Sequence, residues 1–182
     1  GAALGAGNTV VFKVASDTAW SGALLMEAFR EAGIPDGVLN HVTGSGPEVG
    51  EALVRHPEVA GITFTGSGEV GMGIVRAFAQ GRWPRPCIAE MGGKNPVIVT
   101  RHADLERAAM GIHRSAFGLQ GQKCSASSRV YVEKPVADAL RALLVEKTRM
   151  ISVGDPTLRQ HWMGPVINEA AFGRYRKCVE NL

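Results

Sequence analysis

Apolar positions in this chain fall into two alternating patterns, short continuous runs and longer stripes at helical spacing. Val10-Val11-Phe12 lies within a run over 8–13 of the kind shown by a strand buried on both faces. From 18 to 32 the apolar residues recur at 3.6-residue spacing until Gly33, with Pro35 beyond, which predicts a helix stopped by glycine. The alternation continues with a strand over 37–43, a short helix over 48–55, a strand over 59–64 and a helix over 69–80. A polar stretch from Gly81 to Pro86 interrupts it, and Cys87-Ile88-Ala89 resumes as a short apolar strand. After a glycine turn come a strand over 96–100, a helix over 105–118, a strand over 129–133 and a helix over 136–150. Strands separated by single helices pair in parallel through right-handed crossovers. The expected fold class is therefore α/β, with open parallel-type sheets carrying helices on both faces. The new α/β run after the glycine turn places a domain change there, dividing the chain into 1–89 and 90–182. Residues 1–8 resemble the last turns of a helix with a Gly-Asn stop, and residues 172–182 break off inside a helical pattern. With no initiator Met, the pattern predicts an internal piece of a longer protein.

Composition narrows the class without naming a chemistry. At 182 residues, 45% hydrophobic and 20% charged, the chain suits one ordinary core or parts of two. A net charge of +3 with scattered basic residues gives no reason to expect a nucleic-acid partner. No apolar run approaches the roughly 20 residues of a membrane span, and no signal peptide opens the sequence. Three cysteines, odd in number and far apart, fit reduced thiols and a cytoplasmic location. Five histidines lack ligand spacing, so no metal is expected and each reads as a surface or packing residue.

The chemistry concentrates in two loops, Glu90-Met91-Gly92-Gly93-Lys94-Asn95 and Gly121-Gln122-Lys123-Cys124-Ser125. A thiol that attacks and a carboxylate that takes a proton are the minimum for covalent catalysis through a thioester. A free cysteine is more often a small buried hydrophobe. Cys124 differs in its polar, glycine-containing loop beside Lys123, whose ammonium would stabilise a thiolate if it faces inward. Cys87, between Pro86 and Ile88, reads as core, and Cys178, at helical spacing, as structural. Glu90 lies between apolar Ala89 and Met91, which predicts the partial burial that tunes a general base.

Two glycine clusters follow strands and open helices. Gly66-Ser67-Gly68-Glu69-Val70-Gly71 satisfies G-x-G-x-x-G, and the N–H groups of a helix start there favour a pyrophosphate. The ordinary dinucleotide fingerprint would then assign Glu90, about 20 residues on, to a ribose. Gly44-Ser45-Gly46-Pro47 forms a second cradle, and Lys13 ends the first strand at the carboxyl edge where open α/β sheets bind ligands. A glycine-rich turn without a ligand is an equal alternative for either cluster alone, and for Lys13 taken alone a solvated strand end is the better reading.

Both catalytic loops closely resemble the active-site signatures of the aldehyde dehydrogenase superfamily, and the resemblance extends over essentially all 182 residues. Gly154-Asp155-Pro156 and Met163-Gly164-Pro165 match turns of its catalytic domain. The resemblance implies that 1–89 is part of an NAD(P)-binding Rossmann-type domain and 90–182 part of a cysteine-bearing catalytic domain. It implies an aldehyde as small-molecule substrate, NAD or NADP as cofactor, and a homo-oligomer at full length. Cys124 would attack the aldehyde, and Glu90 would activate water rather than hold a ribose. Lys13, Ser16, Gly46, Pro47, Gly66, Ser67, Val70, Met91 and Gly92 would contact the cofactor, and Ser125 the substrate. Where the family usually has Glu three residues after the lysine, this chain has Ser16, which leaves room for a ribose 2′-phosphate and opens NADP as well as NAD. Gly-Gln-Lys-Cys-Ser-Ala is most similar to 1-pyrroline-5-carboxylate dehydrogenases, which oxidise glutamate γ-semialdehyde in proline catabolism. The family's Asn oxyanion donor, its Glu for the nicotinamide ribose and its oligomerisation strand do not occur in this stretch, so little activity is expected of it alone. A dehydrogenase for another aldehyde remains an alternative. So, from a different class, do a nucleotide-binding module without chemistry and a thiol hydrolase with a histidine beside Cys124.

Overall fold

The computed structural model describes residues 1–181; Leu182, the end of the helical pattern expected over 172–182, lies outside the described residues. A short helix α1 (Ala2–Gly5) precedes three successive strand–helix–strand units. The first is β1 (Val10–Lys13), α2 (Ala19–Glu31) and β2 (Leu39–Val42), paired in parallel with Val10 opposite Leu39 and Lys13 opposite Val42. A short helix α3 (Glu51–Arg55) leads to the second, β3 (Ile62–Thr65), α4 (Gly68–Ala79) and β4 (Cys87–Glu90), whose register sets Thr65 opposite Glu90. The third is β5 (Asn95–Val99), α5 (Leu105–Phe117) and β6 (Ser127–Val132), followed by α6 (Lys134–Arg149) and α7 (Glu169–Glu180). The parallel pairing expected from the alternation is present in all three. The chain forms two compact units, Gly1–Glu90 and the remainder from Met91.

In the first unit Ile74 and Phe78, four residues apart on α4, share a stripe that packs with Val54 of α3 against Ile62, Phe64 and Cys87. Phe78 is 2% exposed. Arg85 anchors the polar stretch after α4. Its guanidinium donates to the carbonyls of His56, Val59 and Val54 at 3.1–3.2 Å and lies 3.9 Å over the Phe78 ring. It thereby bonds the Val54 carbonyl in the last turn of α3 and the Val59 carbonyl beyond it, and shares the His56 carbonyl with the Val59 N–H.

In the second unit Val99, Ala109, Ile112 and Leu140 form the core, with Val97, Val130 and Val132 packed on it. Asp104 caps α5 by accepting from the Arg107 N–H at 3.1 Å, and Lys147 of α6 reaches Glu106 of α5 at 2.9 Å. Arg101 donates through its backbone N–H and its Nε to one oxygen of Glu133, both at 2.8 Å, and these bonds hold that carboxyl below the ordinary range. An apolar groove between β6 and α6, lined by Val130, Val132, Leu140 and Leu144, contains none of the chemistry-bearing residues.

Several boundaries differ from the sequence reading. The helix expected over 48–55 is a wide π-type turn, Gly46–Gly50, that tightens into α3 only at Glu51. The helix expected from 136 begins at Lys134, because Pro135 fits the first turn, where its missing N–H has no helical partner to lose. β6 begins two residues early, with a register shift opposite Asn95 and Pro96. The turns at 154–156 and 163–165 flank a parallel bridge between Val153 and Met163. Cys87 packs on the core as expected, whereas Cys178 is exposed on α7, so its helical spacing did not mark a buried position.

Candidate functional site

In the first unit the candidate cofactor residues gather at the carboxyl ends of the strands. Lys13 closes β1, and its Nζ donates to the Val14 carbonyl at 3.1 Å. A Cβ on Gly50 would lie 3.9 Å from the Lys13 stem, so the π-type turn passes beside this lysine. Ser16 donates from Oγ to the Gly44 carbonyl at 3.3 Å, tying the segment after β1 to the glycine cluster after β2. Gly44 has φ +143, and a Cβ there would meet Val49 Cγ2 at 2.4 Å, so only glycine fits. Ser45 caps the turn, accepting from the Glu48 N–H at 3.2 Å and donating to its carboxylate at 2.8 Å. Gly46 and Pro47 stand exposed at its start. Lys13, Ser16, Gly46 and Pro47 therefore form one neighbourhood.

A second cradle lies at the end of β3 and β4. The Gly66 N–H donates to the Glu90 carbonyl at 3.1 Å, extending the Thr65–Glu90 pairing by one bond. A Cβ on Gly66 would fall 2.4 Å from the Phe64 ring, so the close turn requires glycine. Ser67 caps α4 by accepting from the Val70 N–H at 3.3 Å. The first turn of this twelve-residue helix, with Val70 half exposed, opens beside the Glu90 backbone. A first-turn N–H cluster with no side chain at Gly66 suits a phosphate, so the residues present fit a dinucleotide. Glu90 itself is exposed, and the partial burial expected from Ala89 and Met91 is not found. The reason is the strand's alternation: Cys87 and Ala89 face the layer that packs on α4, whereas Glu90 shares the outward face with Ile88, itself exposed.

The second unit begins with half-buried Met91 and exposed Gly92. Its thiol loop starts with an unusual backbone. Leu119, Gln120 and Gly121 all have positive φ, at 52, 58 and 69, forming a left-handed turn after α5. For a non-glycine residue such a conformation costs of order 1–3 kcal/mol and persists only where the surroundings fix it. The Gln122 N–H closes the turn onto the Leu119 carbonyl at 3.0 Å, and further contacts hold the loop that follows. The Ile167 N–H donates to Gln122 Oε1 at 3.1 Å, and the Ser127 N–H donates to Ser115 Oγ at 3.1 Å. Asn95 Nδ2 donates to the carbonyls of Cys124 at 2.7 Å and Ala126 at 3.0 Å. The Ala126 N–H closes a turn onto the Lys123 carbonyl at 3.0 Å, setting Cys124 and Ser125 at its corners. Lys123, Cys124 and Ser125 are all exposed.

Cys124 thus lies at the amino edge of β5 and β6, the opposite edge from the one used by Lys13, Gly66 and Glu90 in the first unit. His113 stacks on Trp162 with ring centroids 4.8 Å apart, and His161 pairs with Ser152 at 2.9 Å. Both are engaged in packing or hydrogen bonding, as expected of the histidines. Among the described residues no cluster of three metal-ligand types occurs. Nor is any helix among them long and apolar enough to cross a membrane. The sequence reading missed Asn95 and Ser115 as anchors of the thiol loop. For Asn95 a signal existed, its place in the same glycine signature as Glu90; for Ser115, inside α5, there was none.

The profile of the aldehyde dehydrogenase family matches residues 1–182. A curated relative, the 1-pyrroline-5-carboxylate dehydrogenase of Geobacillus thermodenitrificans, is 45% identical over 98% of this chain and 36% of its own length. The crystal structure of 1-pyrroline-5-carboxylate dehydrogenase from Thermus with bound NAD superposes with a TM-score of 0.89 at 39% identity, covering 96% of this chain and 34% of that one. An NAD-dependent aldehyde dehydrogenase from Sinorhizobium meliloti gives 0.94 at 38% identity, covering 98% and 35%. The chain spans about a third of the length of the relatives it matches.

Proposed function

The chain belongs to the aldehyde dehydrogenase family, and from that premise we propose that the complete protein oxidises glutamate γ-semialdehyde to glutamate with NAD or NADP. The observation that carries this reading is the bond from the Gly66 N–H to the Glu90 carbonyl, which joins a phosphate cradle to a carboxylate at one sheet edge. The substrate assignment rests on the relatives, several of which bear the name 1-pyrroline-5-carboxylate dehydrogenase at 45–48% identity.

In this reading residues 1–89 belong to the cofactor domain and residues 90–182 to the catalytic domain. Cys124 Sγ attacks the aldehyde carbon and forms a thiohemiacetal, whose oxyanion takes a hydrogen bond from the Cys124 N–H. A nicotinamide dinucleotide, when bound, supplies the hydride acceptor. Lys13 and Ser16 hold its adenosine ribose, Gly46 and Pro47 border the adenine, and Gly66, Ser67 and Val70 receive the phosphates. Met91 and Gly92 would make further contacts with the dinucleotide. Loss of hydride leaves a thioester on Cys124. Glu90 takes a proton from water, the hydroxide adds to the thioester carbon, and the carboxylic acid leaves as the thiolate is restored. Ser125, beside the nucleophile on the same turn, contacts the polar substrate. The three free cysteines suit a reducing cytoplasm, and the family resemblance suits a homo-oligomer. The direct test follows absorbance of reduced cofactor when the complete protein meets the semialdehyde and a panel of unrelated aldehydes. A kcat/KM for the semialdehyde no better than for the panel would overturn the substrate assignment.

Ser16 makes a separate prediction. In Ser16→Glu the added carboxylate accepts from both ribose hydroxyls and repels a 2′-phosphate. The ratio of kcat/KM for NAD over NADP should rise by about tenfold or more, equivalent to about 1.4 kcal/mol. A ratio that does not move would take Ser16 away from the ribose.

A further inference from the structure

We propose that Asn95 is a positioning residue that aims the Cys124 thiol. Its side-chain amide uses both N–H bonds on the turn that carries the nucleophile, with Nδ2 2.7 Å from the Cys124 carbonyl and 3.0 Å from the Ala126 carbonyl. An –NH2 group has two donors, and here both are engaged. The first bond fixes the peptide plane directly after Cys124, and the second fixes the plane two residues on. Together they set the Cys124 backbone, so that only the side-chain rotamer still directs Sγ. The turn is exposed and follows three residues of left-handed backbone, so local preference alone does not hold it. Asn95 is the first residue of β5, and a strand end is a rigid point from which to brace a loop.

Gly93 completes the device. A Cβ there would lie 3.3 Å from Asn95 Oδ1, 3.6 Å from Nδ2 and 3.7 Å from Cγ. The absent side chain leaves the space in which the carboxamide lies. The Gly93–Asn95 part of the signature therefore braces the thiol turn, and two segments that stand apart in sequence are joined by one side chain.

This inference rests on the reading of Cys124 as nucleophile, and its test is chosen to separate the two. In the complete protein, Asn95→Ala and Asn95→Asp are compared with the parent by the rate and pH profile of Cys124 alkylation with iodoacetamide, the burst of reduced cofactor per titrated active site, the KM for cofactor and the urea midpoint. Asn95→Ala should slow the burst by about tenfold and alter the alkylation profile, with the cofactor KM within about threefold. Asn95→Asp should be slower still above the pH at which its carboxyl ionises, because a carboxylate then faces two carbonyl oxygens, and it should recover relative to the parent as that carboxyl takes a proton and donates one bond. Gly93→Ala should slow the burst in the parent yet add little in Asn95→Ala, because both act through one carboxamide. Burst and alkylation within twofold of the parent would overturn the proposal, as would additive effects of Gly93→Ala and Asn95→Ala. A lowered urea midpoint with surviving sites reacting at the parental rate would also overturn it, since that describes a merely structural residue. If the parent reduces no cofactor with any aldehyde, the reading of the reaction fails, and the alkylation profile alone still decides the role of Asn95.

Discussion

Cys124→Ala in the complete protein is expected to abolish the proposed aldehyde oxidation, and ester hydrolysis with it, while leaving cofactor affinity within about twofold. A methyl group cannot form the covalent adduct, so every later step has nothing to act on. In nucleophile-dependent enzymes, removing the attacking atom has cost on the order of 10⁶ in kcat. Folding is expected to survive, because Cys124 is exposed at a turn corner and the bonds that hold the turn go to its backbone rather than to Sγ. Titration of NAD by fluorescence, alongside the steady-state assay, separates chemistry from binding. Persistent NAD(P)-dependent turnover by this variant would remove Cys124 from the mechanism.

Glu90→Gln divides the reaction in time. The amide keeps the size of the side chain but cannot take a proton from water, so thioester hydrolysis slows while acylation and hydride loss continue. A positioned general base contributes about 10²–10⁴ in rate, and steady-state turnover should fall within that range. A stopped-flow trace should still rise by nearly one reduced cofactor per active site before flattening. The Gly66 N–H bonds the Glu90 backbone carbonyl, not its carboxylate, so the substitution leaves the phosphate cradle in place. Loss of the burst together with the steady state, in a folded protein, would assign Glu90 an earlier role in activating Cys124.

Much of the fold was legible because burial and periodicity agree. The runs around Val10, Ile62 and Val97 became strands, and the 3.6-residue stripes through Ile74 and Ile112 became α4 and α5. Glycines were legible where a side chain would collide, as at Gly44 with Val49 and Gly66 with Phe64. What escaped was set by long-range contacts or unusual backbone. Leu119 and Gln120 adopt positive φ that no local propensity favours. The exposure of Glu90 follows from the alternation of β4, which turns Glu90 and Ile88 to the outward face, and its apolar neighbours concealed this. Lys13 and Gly66 lie at the carboxyl edge of their parallel pairs, where that topology favours ligands. Cys124 differs in position, since it precedes β6 at the amino edge, held there by Asn95 from β5.

In the proposed reaction, carbon–sulfur bond formation at Cys124 precedes water attack assisted by Glu90. The measurement that bears on it most directly is peptide mass spectrometry of the complete Glu90→Gln protein, quenched in acid seconds after mixing with aldehyde and NAD(P). An acyl group is expected on the peptide containing Cys124, at close to one per active site, labile to hydroxylamine and absent when cofactor is omitted. An unmodified Cys124 peptide in protein that has already released its burst of reduced cofactor, or an acyl group on Cys87 or Cys178 instead, would contradict it.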